Sequence, residues 1–484
     1  MLEENYNLAL KKIIKFTKSK SVDLAKAIGY DVSYISKWKS GSKLPSSRSV
    51  QTINSALGAY FAKRLEEIDK ADDYRQTFTT GDNDGTTAFS ITEYLNRAYR
   101  HSLQRQPRTK KTNTSTASIS IGHRDVTTFL NTALQACLQE ATEPQELIVY
   151  GEFCTLYDAG FWELLCGLPN TQKLTVRIGL DLDKLEKSPA YITALYEILN
   201  RCLYADFYFY DVTDSTDTRL ILLKNRLAVQ YDFGKKGEFI MATSVEDPLL
   251  VQDILDKLSA FMPRVRELMA SAPAPWITDI GYRTSFYAAR KFFFFLTNGI
   301  EYLLPHDVFH RISAQIGAPE NTYIDQLQIT WEELLCRADL DVVIPFNSLI
   351  RYLEEGHIDL TTVQYTMTED ERRGHIEAIM HYLKENDSMS IGIVTLSEET
   401  TAYKNANLSF YSNYDTAFFK KNPRLIRNDA KPFYMIKSRR LQQLFLNSFK
   451  SLKSSNHYHT CSGNDVTRMY HLYKPIIEKI ITTK

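Results

Sequence analysis

In the stretch DVSYISKWKSGSK, residues 31–43, small hydroxyls and lysines recur at spacings that a helix places on one side. On a helix opened by Asp31, Ile35 and Trp38 point inward, whereas Val32, Ser33, Ser36 and Lys37 point outward. Such side chains suit recognition rather than bond breaking. Short side chains at the N-terminal end of a helix let its backbone press into a major groove. There Lys37 reaches guanine acceptors and Val32 a thymine methyl. Ser21, Lys39, Ser40 and Lys43 fall where phosphates would pass, donating hydrogen bonds or charge that position a duplex without reading it.

These residues need a scaffold, and the flanking sequence supplies one. Leu10, Ile13, Ile14 and Thr17 follow the i, i+3, i+4, i+7 spacing of one helix face. Ser21 is positioned to cap a second helix with Leu24, Ala25 and Ile28 inward. Gly29 supplies the positive φ of a tight turn, and Asp31 caps the third helix. Gly41 ends that helix. Leu44-Pro45-Ser46 then leads into another, with Val50, Ile53, Ala56 and Leu57 inward, and residues 59–70 read as one helix more.

Leu24-Ala25, Ile28-Gly29, Ile35, Trp38, Gly41 and Pro45 stand in the order and spacing of the lambda-repressor-like (Xre-type) helix-turn-helix family, which residues 4–70 resemble. The resemblance implies base reading at Val32, Ser33 and Lys37 and a phosphate contact at Ser40. Lys39 stands where the family often has glutamate, and Ser21 and Ser33 where it usually has glutamine, so no base preference carries over. Charge agrees with a nucleic-acid partner. The 484-residue chain has no formal net charge, yet residues 1–50 hold ten Lys/Arg against four Asp/Glu.

Beyond residue 75 the pattern changes. Residues 76–122 read as a short helix and a Thr/Ser-rich flexible linker. Short β-rich runs (146–151, 174–180, 205–211) then alternate with helical stretches. Lys224-Asn225-Arg226 marks a hairpin with Asn225 at positive φ. The expected architecture is multidomain: an all-α helix-turn-helix head (1–75), then an α/β region with mixed sheets in two halves of similar element order (123–272 and 339–484) joined by a connecting region (273–338). In the second half Thr368 and Glu371 form a capping box. Aromatics such as Phe207, Phe209, Phe410 and Tyr411 read as core, and any left at a cleft between the halves would line an apolar ligand pocket.

The element order of the two halves resembles the phospholipase-D-like fold. That family's half-motif is His-x-Lys followed by an aspartate, and none of the ten histidines here has a lysine two residues on. The resemblance therefore implies a non-catalytic module, and no catalytic residue is assigned. His457, His459 and Cys461 alternate as metal ligands could, but with no companion cluster they read as an exposed turn, and no metal or cofactor is expected. No Walker A, GxGxxG, HExxH or GxSxG sequence occurs. Six scattered cysteines without CxxC spacing, and an oily run at 291–299 too short to span a bilayer, lead to a cytoplasmic protein free of membranes.

The expectation is a transcriptional regulator that binds double-stranded DNA as a homodimer and is modulated by a small-molecule or peptide effector, and is not an enzyme. The alternatives are a scaffold protein whose head docks a protein partner, and a diverged phospholipase-D-like enzyme.

Overall fold

The computed structural model describes residues 4–46, 49–71, 73–74, 86–105, 118–139, 141, 143–167, 173–213, 218–259, 266–317, 320–361, 363–395, 397, 400–427, 429–461 and 463–482. The chain divides into two compact units, Met1–Thr114 and Ser115–Lys484.

The described elements of the first unit are helical: α1 (Tyr6–Phe16), α2 (Ser21–Ile28), α3 (Val32–Ser40), α4 (Val50–Glu67) and α5 (Thr87–Arg105). The expected faces of α1 to α3 are those it buries, with Ile28 half-buried. Gly29 and Gly41 end α2 and α3 in the left-handed conformation, which glycine adopts without a Cβ penalty. Three local readings need correction. Lys20, not Ser21, caps α2, and Ser21 is its first residue. The helix expected at 59–70 is the continuation of α4, which buries Asn54 and leaves Ala56 half-exposed. Finally, α5 belongs to this unit: Ile91, Leu95, Ala98 and Tyr99 share one core with Tyr6, Trp38 and Phe61. This helical unit therefore continues past residue 75. Much of the stretch read as linker lies outside the described residues.

The second unit is built on one 15-stranded mixed sheet. Its strands are β1 (Ser118–Ile121), β2 (Gln145–Glu152), β3 (Leu174–Leu180), β4 (Ala205–Asp211), β5 (Leu220–Leu223), β6 (Leu227–Phe233), β7 (Phe239–Val245), β8 (Glu267–Ala272), β9 (Lys291–Phe295), β10 (Asp339–Pro345), β13 (Met389–Val394), β14 (Leu408–Ser412), β15 (Ala417–Lys421), β16 (Phe433–Ile436) and β17 (Tyr458–Cys461). A separate small hairpin pairs β11 (His357–Asp359) with β12 (Gln364–Thr366). The order is β1-β7-β6-β5-β2-β3-β4-β8-β16-β15-β14-β9-β10-β13-β17.

Two runs of seven strands share one pattern. In the first, β2, β3 and β4 are parallel, β5-β6-β7 is an antiparallel meander leaving β2, and β8 closes antiparallel on β4. In the second, β9, β10 and β13 are parallel, β14-β15-β16 leaves β9, and β17 closes on β13. The runs are fused where β8 pairs with β16. The second run begins at β9, inside the stretch read as a connecting region. Phe292 to Phe295 are all buried, the continuous apolar run of a strand covered on both faces, which carries no alternating signal. Likewise 458–461 is an edge strand rather than an exposed turn. Among the described residues, no helix is long and apolar enough to cross a membrane.

Candidate nucleic-acid interface

The outward side of α3 is set by what its inward side must bury. Ile35 and Trp38 are inaccessible to solvent, which turns Ser33, Ser36 and Lys37 outward. The N-terminus of the helix is pinned by Asp31, whose carboxylate accepts from the Ser33 amide at 2.8 Å. The hydrogen bonds from Ser33 hold that carboxyl below its ordinary range. Val32 departs from the expected outward row. It is half-buried and packs against the core of the helical unit.

At the other end of α3 the chain folds back on itself. The Lys37 carbonyl accepts from the Ser40 hydroxyl at 3.0 Å, the Ser42 hydroxyl at 3.3 Å and the Lys43 amide at 3.4 Å. Lys43 is thereby brought beside Lys37, and the ammonium groups of both stand 5.7 Å from the ring centre of Tyr34. Lys39 and Ser21, also separate in sequence, meet directly: Lys39 Nζ donates to Ser21 Oγ at 3.1 Å. This bond joins the start of α2 to the last turn of α3.

The geometry thus sorts the eight expected residues. Ser33, Ser36 and Lys37 form an exposed row on α3. Lys43 joins them through Tyr34, Ser21 and Lys39 make a second polar pair, Ser40 braces the turn, and Val32 is mainly packing. Sequence reasoning passed over Tyr34, a residue 38% exposed whose ring meets Tyr30 edge to face and Trp38 at a tilt. Its signal was the i, i+4 spacing of three aromatics, which alone reads as core. Exposed rings between cations favour contact with polyanions, because the ring attracts the cations and leaves their outer hydrogen atoms free.

No family model matches the chain, and no curated protein matches it. Solved structures similar to it include a phospholipase D family member, Nuc from Salmonella typhimurium, at 12% identity and TM-score 0.23 over 32% of this chain and 98% of that one. Phosphatidylserine synthase from Haemophilus influenzae Rd KW20 matches at 8% identity and TM-score 0.25, over 75% and 94% of the two chains. TrmBL2, an archaeal chromatin protein that binds DNA, matches at 9% identity and TM-score 0.21, over 44% and 88%. Similarities of this size assign neither a family nor an activity to this chain.

Proposed function

We propose that this chain is a sequence-specific DNA-binding transcriptional regulator that reads duplex DNA through α3. The α/β unit then serves dimerisation and effector sensing, and performs no catalysis. The observation that carries the reading is the exposed Ser33, Ser36, Lys37 row, flanked by Lys43 and by the Lys39–Ser21 pair, in a segment with a local excess of positive charge. Ser33, Ser36 and Lys37 meet base edges, and Ser21, Lys39, Ser40 and Lys43 hold phosphates. One such helix contacts few base pairs, so two heads on half-sites about one helical turn apart are needed for useful affinity.

The test is binding of the full-length protein to genomic fragments, its own promoter among them, over a series of salt concentrations. Lys39→Ala and Lys43→Ala each lower affinity on every bound fragment alike and reduce the slope of log K against log salt by about one. Binding that ignores salt supports the second reading, a helical unit that docks a protein.

A further inference from the structure

The second strand run and its helices form a half-open cavity of about 550 Å³. Strands β10, β13 and β17 wall it on one side, and helices Phe346–Glu355, Glu369–Glu385 and Gly463–Thr482 on the other. It lies within this run, not in a cleft between the two runs. Ile344, Ile379, Leu383 and Ile391 line it and are almost fully buried. Phe346, Tyr473 and Ile476 line it too, yet are 42%, 45% and 55% exposed, which makes them its mouth.

Aliphatic side chains left facing solvent in a cavity of this size gain from an apolar occupant that takes their surface out of water. The volume falls in the range of small-molecule sites. The lining also says what fills it. Among the described residues no Asp, Glu, Lys or Arg side chain lines the cavity, so a charged group inside would have no counter-ion. The polar side chains of the lining are Thr395, His459 and Cys461 on the sheet side and Tyr352, Tyr470 and Tyr473 on the helices. The Thr395 hydroxyl is already engaged with the His457 carbonyl at 3.1 Å.

We propose that this cavity binds an uncharged, largely aliphatic small molecule, of the class of a long-chain alcohol, entering between Phe346, Tyr473 and Ile476. That this ligand acts as the regulator's effector rests on the DNA-binding reading. The binding itself does not, and is measured on the protein alone.

The probe is N-phenyl-1-naphthylamine, an uncharged fluorophore, titrated into the full-length protein and displaced with 1-dodecanol, dodecanoate or maltose. The expected result is saturable enhancement with one probe per chain, displaced by dodecanol well before dodecanoate and not by maltose. Ile379→Trp, which fills the interior, and Ile476→Glu, which places a charge at the mouth, each weaken probe binding at least about tenfold. Unchanged thermal unfolding of Ile476→Glu, an exposed position, separates lost binding from lost folding. The proposal is overturned by absence of saturable binding, by binding that both variants leave intact, by displacement with maltose or preferentially with dodecanoate, or by a chain found dimeric with Ile476→Glu monomeric and the probe unbound. The last outcome would identify a second copy of the chain as the occupant.

Discussion

The Tyr6 hydroxyl donates to Asn54 Oδ1 at 2.8 Å, and the Asn54 amide passes the link on to Asn96 Oδ1, also at 2.8 Å. One polar chain, buried at Tyr6 and Asn54 and half-buried at Asn96, thus ties α1 to α4 and α4 to α5, and the Tyr6 amide adds a bond to the Ser102 hydroxyl at 2.6 Å. Buried polar groups that lose a partner are costly, so α5 is required by the head rather than appended to it. A fragment of residues 1–105 is expected to unfold cooperatively. A fragment ending at residue 75 strips the cover from Tyr6 and Asn54 and is expected to melt lower and more broadly. Circular dichroism melts of both fragments check this.

Gly58 sharpens the same point, because α4 packs closely on α5 there. A Cβ at this position would stand 2.2 Å from Thr92 Oγ1 and 2.7 Å from the Ala88 carbonyl oxygen. The second neighbour is backbone, which cannot rotate away. Gly58→Ala is therefore expected to destabilise the helical unit by about 1–3 kcal/mol, despite the better helix propensity of alanine. Urea unfolding measures it; a stabilised variant would show that the two helices are not in contact.

Lys420 and Lys421 are neighbours on β15, both buried, and alternation sends them to opposite faces of the sheet. Lys420 Nζ donates to Glu301 Oε2 and to the Asp359 carbonyl, each at 2.6 Å. Burial alone would lower its ammonium, but the Asp359 and Glu301 carboxylates raise it above the usual lysine range. Lys421 Nζ instead donates to the Ala205 and Leu203 carbonyls at 2.9 and 3.1 Å, and burial pushes it down to about 8. Removing one side of a buried pair leaves the other uncompensated. Lys420→Met is expected to cost about 3–5 kcal/mol, and adding Glu301→Gln should return part of that loss. Denaturant melts of the single and double variants decide.

His375 gives a pH dependence of known sign. It is fully buried, with Nδ1 accepting from the Tyr352 hydroxyl at 2.5 Å and Nε2 donating to the Tyr302 carbonyl at 2.9 Å. Burial lowers its imidazole from 6.5 to about 4. The unfolded chain therefore takes up a proton between these values while the folded chain does not. The contribution is present in full above pH 6.5 and is lost as pH falls toward 4, by roughly 3 kcal/mol in total. In His375→Gln this part of the stability–pH slope should vanish. A slope retained in full would place the titration elsewhere.

What the sequence disclosed follows from where the physical signal is local. Periodic apolar residues and the glycines at 29 and 41 marked α1 to α3. The Lys224-Asn225-Arg226 turn, with Asn225 at φ 60°, and the Thr368–Glu371 capping box are likewise written in a few adjacent residues. Signals that depend on distant partners were not legible. The inward face of α5 means little without Tyr6 and Phe61, and the pairing of β8 with β16 leaves no mark in either strand. The helix Gly463–Thr482 carries Pro475 in its interior, a residue that by itself signals a break. At the candidate interface the outward row on α3 was readable. The half-burial of Val32 and the convergence of Lys37 and Lys43 on Tyr34 required the folded loop.

The most direct measurement compares the full-length protein with its Ser33→Ala/Lys37→Ala variant. Both are titrated onto the best-bound genomic fragment and onto a scrambled duplex of equal length and composition. The account predicts that the wild type prefers the genomic fragment, and that the variant loses most of that preference, about 1–3 kcal/mol for each base contact removed, while still binding the scrambled duplex at low salt. Equal preference in the two proteins, or no binding to any duplex at low salt, would contradict DNA reading by α3.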